Sequence, residues 1–296
     1  MMKFSEFKQF IAENIKDYLP IAEFGSCTAE IVTVTKNNGS YEGLTMKPKG
    51  EPVPCPVFNL TQAFKQYQNG SNLDEIFEEG AKVLTTTCKP SIDVSSLRSF
   101  EANKDKVFPR LVNISNSDYL AGKPYKAIEG TDICAVYYIS LGDGATATID
   151  DNFLDLWGID LDTLDSKATE NLCELGYKIA PLMSAAFGHW NTIDEIDITD
   201  DFPFYAFTTS DGCLGASVIL NEDLMKKLTD KLGAVYVIPS SIHEVIVLPK
   251  AVADKFDNVE GLVENIKEVN STMETRDILS DTLYMYDSKL ATVEYA

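Results

Sequence analysis

The densest group of reactive side chains lies in residues 239–245, which read Pro-Ser-Ser-Ile-His-Glu-Val. Two hydroxyls, an imidazole and a carboxylate fall within five consecutive positions, at Ser240, Ser241, His243 and Glu244. A histidine can act as the base that activates a serine hydroxyl, and a carboxylate can support that histidine. The combination indicates a small-molecule hydrolase or transferase with His243 as base, Ser241 as nucleophile or orienting hydroxyl, and Glu244 in support.

Strand geometry argues against an assembled reaction centre in this segment. If residues 242–248 form a strand, the side chains of His243 and Glu244 point to opposite faces of the sheet. Ser241 shares the side of His243, but residues two apart on a strand are separated by about 6.6 Å, whereas proton transfer needs about 3 Å. The structural alternative is that Pro239 fixes a turn, the serines bind loop backbone, and the histidine hydrogen-bonds a neighbouring loop.

The remaining motifs predict no cofactor and no metal. Gly142-Asp143-Gly144 lacks the third glycine of a dinucleotide fingerprint and lies between strands, so it predicts a hairpin turn. Asp160-Leu161-Asp162 begins like a calcium loop but is followed by leucine at the next ligand position. His189 is expected to be a structural residue at a helix end. The six cysteines are far apart and form no C-x-x-C pair, which predicts thiols rather than a zinc site.

Acidic residues outnumber basic ones by 46 to 25, so the formal net charge is −21 at neutral pH. This field repels phosphate backbones and anionic lipid surfaces, which excludes direct nucleic-acid binding and membrane-surface binding. Two runs of carboxylates predict either a solvated surface or a recognition surface for a basic protein partner. The runs consist of Asp150, Asp151, Asp155, Asp160, Asp162 and Asp165, and of Asp194, Glu195, Asp197, Asp200 and Asp201.

The elements that must position these residues follow from the spacing of apolar side chains. From Phe4 to Tyr18 apolar residues recur at helical steps, which predicts an amphipathic helix that ends before Pro20. Residues 30–35 and 41–46 flank an Asn-Asn-Gly turn, which predicts a β-hairpin. Further helices are predicted over 61–67, 73–84, 151–156 and 161–178 and from Pro181, and further strands over 107–114, 132–140 and 145–149.

The C-terminal third has the clearest pattern. Strands are predicted over 204–208, 214–220, 234–238, 242–248 and 283–286, and helices over 222–232 and 259–269. Asn221 caps the first of these helices and Gly233 ends it. The result is a C-terminal strand-strand-helix-strand-strand-helix unit. Irregular order and hairpin connections predict an α+β fold with mixed, largely antiparallel sheets and packed helices.

Length and composition predict two domains in one chain. At 296 residues the chain can form one large domain or two ordinary ones. Residues 89–105 are polar without clear periodicity, which predicts an N-terminal α+β subdomain over 1–100 and a C-terminal α+β domain over 101–296. No 18-residue apolar run and no export signal are present, so the expected location is the cytoplasm.

Two C-terminal stretches resemble signature sequences of an uncharacterised bacterial family. They are PSSIHEVIVLP at 239–249 and ILSDTLYMYD at 278–287. Leu-Trp-Gly at 156–158 and Tyr-Gln-Asn-Gly at 67–70 are also similar to family positions, so the resemblance spans nearly the whole chain. The family is a domain of unknown function that is common in Gram-positive anaerobes. The resemblance implies an intracellular bacterial protein and supplies no activity, cofactor or catalytic residue.

Two functions of different classes follow. The first is a non-enzymatic interaction protein that binds a macromolecular partner through its carboxylate-rich surface. The second is a hydrolase or transferase that uses the serine, histidine and glutamate of residues 240–244. We favour the first, because strand geometry separates the groups that the second requires.

Overall fold

A computed structural model describes residues 1–49, 55–85, 96–142, 145–196, 203–239, 241–254, 259–273 and 275–293. The chain divides into two units, Met1–Val94 and Ser95–Ala296. In the described residues helices pack on antiparallel sheets, and the predicted α+β class is confirmed. The assignment of 1–100 and 101–296 as separate domains stays a prediction.

The first unit begins with the predicted amphipathic helix, whose apolar face is fully buried at Phe7, Ile11 and Ile15. The predicted hairpin follows, and Asn38 takes the left-handed φ of 56° that its tight turn requires. The unit consists of α1 (Phe4–Asn14), a 3-10 helix (Ile15–Tyr18), α2 (Ile21–Phe24), β1 (Thr28–Lys36), β2 (Gly39–Lys47), β3 (Val57–Asn59), α3 (Leu60–Gln68) and α4 (Leu73–Leu84). Its sheet has the order β1-β2-β3, and the helices cover it with one apolar cluster.

The second unit contains a four-stranded and a six-stranded sheet. Its first half consists of a 3-10 helix (Ser96–Arg98), α5 (Phe100–Asn103), a 3-10 helix (Lys104–Lys106), β4 (Val107–Asn113), α6 (Ser117–Leu120), β5 (Tyr125–Ala127), β6 (Ile133–Gly142), β7 (Ala145–Thr148), α7 (Asp151–Trp157) and α8 (Leu161–Leu175). Strand β6 pairs with β4, β5 and β7, so it is the centre of the smaller sheet.

The second half of this unit builds the larger sheet, in the order β13-β12-β10-β11-β9-β8. Its elements are β8 (Tyr177–Pro181), α9 (Leu182–Ala186), a 3-10 helix (Ile193–Glu195), β9 (Tyr205–Thr209), a 3-10 helix (Gly215–Leu220), α10 (Glu222–Leu232), β10 (Val235–Ile238), β11 (Val245–Pro249), α11 (Lys250–Ala253), α12 (Val259–Thr272), a 3-10 helix (Thr275–Asp277), β12 (Tyr284–Tyr286) and β13 (Leu290–Thr292). Side chains from both sheets, α8 and α10 share one apolar core.

Three predicted elements differ from the structure. In the strand predicted over 214–220, residues 215–220 form a 3-10 helix instead, because Leu214 adopts a left-handed φ of 53° and turns the chain out of the sheet. The helix predicted to reach residue 178 ends at Gly176, whose φ is 79°, and residues 177–178 begin β8. Residues 242–244 form a turn before β11. In the predicted strand-strand-helix-strand-strand-helix order, a 3-10 helix therefore takes the place of the second strand.

No helix in the described part of the chain combines the length and apolar character that crossing a membrane requires.

Candidate functional site

The predicted reactive segment folds as a tight turn that Ser241 closes. The Ser241 amide donates to the carbonyl of Glu244 at 3.2 Å. Its hydroxyl oxygen accepts the backbone N–H groups of His243, at 3.0 Å, and of Glu244, at 3.3 Å. Ser241 is also buried. The hydroxyl oxygen therefore holds the backbone of the turn, as serine side chains often do in loops. Ser240 lies outside the described residues.

The imidazole of His243 lies between a backbone donor and a carboxylate. Its Nδ1 accepts the backbone N–H of Leu214 at 3.1 Å, and its Nε2 lies 3.8 Å from Oδ1 of Asp277. Because Nδ1 is an acceptor, the neutral ring carries its proton on Nε2, on the side of Asp277. In the described residues the ring hydrogen-bonds no hydroxyl. The arrangement supports a structural role more directly than a general-base role.

The backbone around this turn is closely packed. The hydroxyl of Thr208 donates to the carbonyl of His243 at 2.7 Å. A Cβ atom on Gly215 would lie 2.0 Å from that hydroxyl oxygen and 2.8 Å from that carbonyl oxygen. Glycine is therefore the residue that allows the 3-10 helix to approach the turn. This approach places the Leu214 N–H within reach of the histidine.

The carboxyl group of Glu244, in this turn, has a raised pKa. Burial raises its pKa above the ordinary value, although the charges of His243 and Lys178 act in the opposite direction. Its carboxylate makes no hydrogen bond within the described residues. Lys178 pairs with Thr208 across the β8–β9 ladder, and its ammonium lies 4.9 Å from the centre of the Trp190 ring. A half-buried carboxyl group with a raised pKa can hold or release a proton.

Several members of the two acidic runs stabilise local structure. Asp150 accepts the amide of Phe153 at 3.1 Å and caps α7, and Asp160 accepts the amide of Thr163 at 2.8 Å and caps α8. Hydrogen bonds from the side chain, and then from the backbone, of Thr163 lower the pKa of Asp160.

The second run is also partly occupied by local contacts. Asp194 pairs with Lys227 at 2.6 Å, and Glu195 accepts the amide and hydroxyl of Thr192. Asp151, Asp155 and Asp162 of the first run are exposed. Asp197, Asp200 and Asp201 lie outside the described residues.

Asp165 lines a cavity of about 390 Å³ between α8, β5, β6 and the start of α10. Its Oδ1 accepts the hydroxyl of the fully buried Tyr137 at 2.8 Å, and its Oδ2 accepts the ammonium of Lys126. Burial, and then the charge of Asp165, raises the pKa of Tyr137, so this tyrosine remains a neutral donor. The pKa of Lys126 is raised chiefly by its hydrogen bond to Asp165. The two donors fix the carboxylate at the cavity wall.

Two further carboxylates face the same cavity from α10. Glu222 and Asp223 belong to the first turn of that helix, and both are exposed. From α8, Thr169 and Cys173 follow Asp165 at four-residue steps, so the three side chains share one helix face. Burial, and then Asp223, raises the pKa of the Cys173 thiol. Three carboxylates thus surround the cavity against one ammonium group, so the arrangement favours a cation.

Sequence reasoning found Asp165 but missed the other charged groups of this cavity. Glu222 and Asp223 are acidic residues in the first turn of a helix, where carboxylates are common for structural reasons alone. The four-residue spacing from Asp165 to Thr169 and Cys173 is the signal in the sequence that marks the α8 face. Nothing local shows that this face meets the start of α10.

Residues 278–287, the second stretch that resembles a family signature, contribute to a hydrogen-bond network around the carboxylate of Asp132. Asp132 accepts the hydroxyls of Ser280, at 2.8 Å, of Thr282, at 3.2 Å, and of Tyr284, and the amide of Asn113 at 2.9 Å. Ser280 and Tyr284 are buried. The network joins the loop before β12 to the loop before β6, so these residues stabilise the second unit.

Among the described residues, no group of three or more histidine, cysteine, aspartate or glutamate side chains is arranged to hold a metal ion. No curated protein and no solved structure matches the chain. A family of unknown function, DUF5688, matches residues 4–288, which is nearly the whole sequence. The chain therefore belongs to the DUF5688 family.

Proposed function

We propose that the protein is a non-enzymatic binding protein that recognises a basic surface of another protein through its acidic cavity. The observation that carries the proposal is the wall of that cavity, where Asp165, Glu222 and Asp223 face a single ammonium group, Lys126. A volume of about 390 Å³ has room for a lysine or arginine side chain.

The electrostatics of the whole chain support the same partner. A net charge of −21 attracts a basic surface and raises the rate of encounter. Asp162, close enough to Lys126 to raise its pKa, adds negative charge at the cavity. The exposed Asp151 and Asp155 extend the field along α7. The Lys126–Asp165 pair gives an internal example of the ammonium–carboxylate contact that a partner would make.

A titration of the full chain with a lysine-rich peptide tests this proposal. Binding measured by calorimetry is expected at low salt and should weaken as sodium chloride is added, because salt screens exposed charges. The double variant Glu222→Gln, Asp223→Asn should bind at least fivefold more weakly. Circular dichroism should first show that α10 is intact, since both residues stabilise its N-terminus.

The matched control is the double variant Glu78→Gln, Glu79→Gln, which removes the same charge from the exposed face of α4. Its affinity should stay within twofold of the parent. Equal losses of affinity in both double variants would show that the peptide is attracted by net charge alone. That result would contradict binding in the cavity. Absence of binding at low salt would contradict the proposal as a whole.

A reaction centre at the Ser241–Glu244 turn is the second candidate, and the raised pKa of Glu244 favours it. A general acid typically contributes about 10²-fold to 10⁴-fold to a rate. In a screen of ester and phosphoester substrates, Glu244→Gln should then lower turnover at least 100-fold. Turnover that survives this substitution, or that is absent from the parent protein, removes the candidate.

We also propose a cytoplasmic location. Cys27, Cys134, Cys173 and Cys213 are thiols in the described part of the chain, and a reducing compartment preserves thiols. Cell fractionation with an antibody to the protein should recover it with cytoplasmic markers. Recovery with secreted or surface proteins would contradict this location.

A further inference from the structure

Strand β1 leaves one long side of its sheet without a partner strand. It extends over nine residues, and in the described part of the chain it pairs with β2 alone. The register with β2 is continuous and contains no bulge. The strand has neither proline nor glycine, and residues 31–35, Ile-Val-Thr-Val-Thr, are all β-branched. Long, regular edges of this composition can pair with a further strand.

Three other edge strands in the described residues are short or covered. Strand β3, at the opposite edge of the same sheet, has three residues and follows Pro56. In β8, Ile179 exchanges backbone hydrogen bonds with Asn191, at 3.0 and 2.8 Å. In β13, which has three residues, the Thr292 N–H donates to the Gly130 carbonyl at 2.8 Å. Natural sheets protect their edges in these ways, and β1 has no such protection.

The hairpin turn determines which backbone groups of β1 point outward. Lys36 pairs with Gly39 across a two-residue loop, and a hydrogen-bonded pair closes such a loop. Because hydrogen-bonded pairs alternate along an antiparallel ladder, the even-numbered residues of β1 bond to β2. The outward N–H and C=O groups are therefore those of the odd-numbered residues, Ala29, Ile31, Thr33 and Thr35. The last three of these residues are exposed.

We propose that β1 is a homodimer interface, at which the β1 strands of two copies of the chain pair antiparallel about a two-fold axis through Thr33. Such a pairing must bring the outward groups of one copy against those of the other, and a register centred on Thr33 meets this condition. Thr33 then lies opposite Thr33, and Ile31 lies opposite Thr35. Each of these pairs exchanges two backbone hydrogen bonds, so the two three-stranded sheets become one continuous sheet.

The charges on β1 favour this register and a second copy as the partner. The strand has one carboxylate and one ammonium group, Glu30 and Lys36. In the register centred on Thr33, Glu30 of each copy lies directly opposite Lys36 of the other, on the same face of the sheet, where opposite charges attract. Glu30 also contacts Lys47 of its own hairpin at 2.5 Å. The edge is thus complementary to itself, although the whole chain is strongly acidic.

Sedimentation velocity of the full chain over a concentration series tests the interface. The buffer should contain enough sodium chloride to screen the repulsion between two acidic chains. A monomer–dimer equilibrium is expected. A chain that stays monomeric up to millimolar concentration overturns the proposal and leaves β1 to a strand from another protein.

Thr33→Pro tests the backbone pairing. Proline removes an N–H that points away from β2, so the hairpin keeps its own hydrogen bonds while the dimer loses those at its axis. We expect the dissociation constant of the dimer to rise at least tenfold. The control Thr33→Val keeps the N–H and removes the hydroxyl, which donates to Glu42 at 2.9 Å, and should dimerise as the parent does. A dimer that Thr33→Pro leaves unchanged overturns the proposal.

Charge reversal tests the register. Glu30→Lys and Lys36→Glu each create two like-charge pairs across the axis, so each variant should self-associate at least fivefold more weakly. An equimolar mixture of the two variants again sets opposite charges against each other, and its mixed dimer should form as tightly as the parent dimer. Glu30→Lys also makes the chain less acidic, so an effect of net charge alone would strengthen its dimer.

The matched control for charge reversal is Glu79→Lys, at an exposed position on α4, which should not weaken the dimer. Equal weakening by Glu30→Lys and Glu79→Lys overturns the proposal, and so does a mixture that dimerises no better than its components. If circular dichroism shows that Thr33→Pro does not fold, the charge variants decide the question.

Discussion

His243 Nδ1 accepts the backbone N–H of Leu214 at 3.1 Å, across the gap between the turn before β11 and the 3-10 helix after β9. Leu214 is buried and has a left-handed backbone, so its N–H lies outside any regular ladder. A buried backbone donor needs an acceptor, and the imidazole supplies it. The histidine in the segment with the most reactive side chains therefore stabilises a loop of the fold.

Replacement of His243 should lower stability most when the new side chain has no hydrogen-bond acceptor at the position of Nδ1. His243→Ala leaves the Leu214 N–H without a partner and should cost about 1–3 kcal/mol of unfolding free energy. His243→Asn should cost less, because the asparagine carbonyl can take the position of Nδ1. Urea unfolding followed by tryptophan fluorescence reports the second unit, which contains both Trp157 and Trp190. An alanine variant as stable as the parent would contradict the structural role.

Gly215 should tolerate no side chain. In Gly215→Ala the new Cβ would meet the Thr208 hydroxyl oxygen at 2.0 Å and the carbonyl of His243 at 2.8 Å, and both belong to packed structure. We expect a loss of about 3 kcal/mol or more, or failure to fold. The control is Gly39→Ala, where a Cβ meets nothing within 4 Å. Thermal unfolding by circular dichroism should separate the two variants, and equal midpoints would show that the close approach is absent.

Glu244→Gln should stabilise the protein at neutral pH. Burial raises the folded-state pKa of Glu244, so the folded chain binds this proton more tightly than the unfolded chain does. Ionisation therefore costs stability above the folded pKa, and that cost disappears as pH falls through the folded pKa toward the ordinary value. The urea midpoint of the variant should exceed that of the parent at pH 7.5, and the difference should shrink at pH 5.

The matched control for this pH dependence is Glu174→Gln, at an exposed position on α8. Its urea midpoint should follow that of the parent at both pH values. If Glu244→Gln behaves in the same way as this control, the carboxyl group is solvated and its burial has no energetic effect.

Loss of the Asp132 carboxylate should disrupt the second unit. Asp132→Ala removes the acceptor of three hydroxyls and one amide, among them the buried Ser280 and Tyr284, and should cost about 3 kcal/mol or more. Asp132→Asn keeps one carbonyl oxygen and should be intermediate. Asp287→Ala, at an exposed position after β12, is the control. Tryptophan-detected unfolding with equal midpoints for both alanine variants would argue against the network.

Local signals predicted much of the fold. Asn221 accepts the amide of Leu224 as the predicted helix cap, and the Asn-Asn-Gly hairpin forms at its predicted position. These features depend on contacts within four residues or on a tight turn, so neighbouring residues in the sequence are sufficient to predict them. The same holds for the structural alternative at Ser241, whose hydroxyl binds amides two and three residues away.

Features that depend on distant contacts were not predictable in this way. The apolar residues 214–220 satisfy a strand pattern, but Leu214 leaves the sheet because packing against Thr208 and His243 favours a 3-10 helix. The cavity requires α8 to meet the start of α10, and one sequence gives no distance between Asp165 and Glu222. The Ser280–Asp132 bond joins residues 148 positions apart. Periodicity identifies faces, and tertiary packing decides which faces meet.

The reactivity of Cys173 tests the acidic cavity most directly, because this exposed thiol lines it. Iodoacetamide labelling at pH 8, with and without a saturating lysine-rich peptide, should be followed by mass spectrometry. We predict that the peptide slows alkylation of Cys173 at least fivefold and leaves Cys213 unchanged. Cys134, whose pKa burial raises to about 12, should stay unlabelled in both samples. An unchanged rate at Cys173 while the peptide is bound would place binding elsewhere and contradict the account.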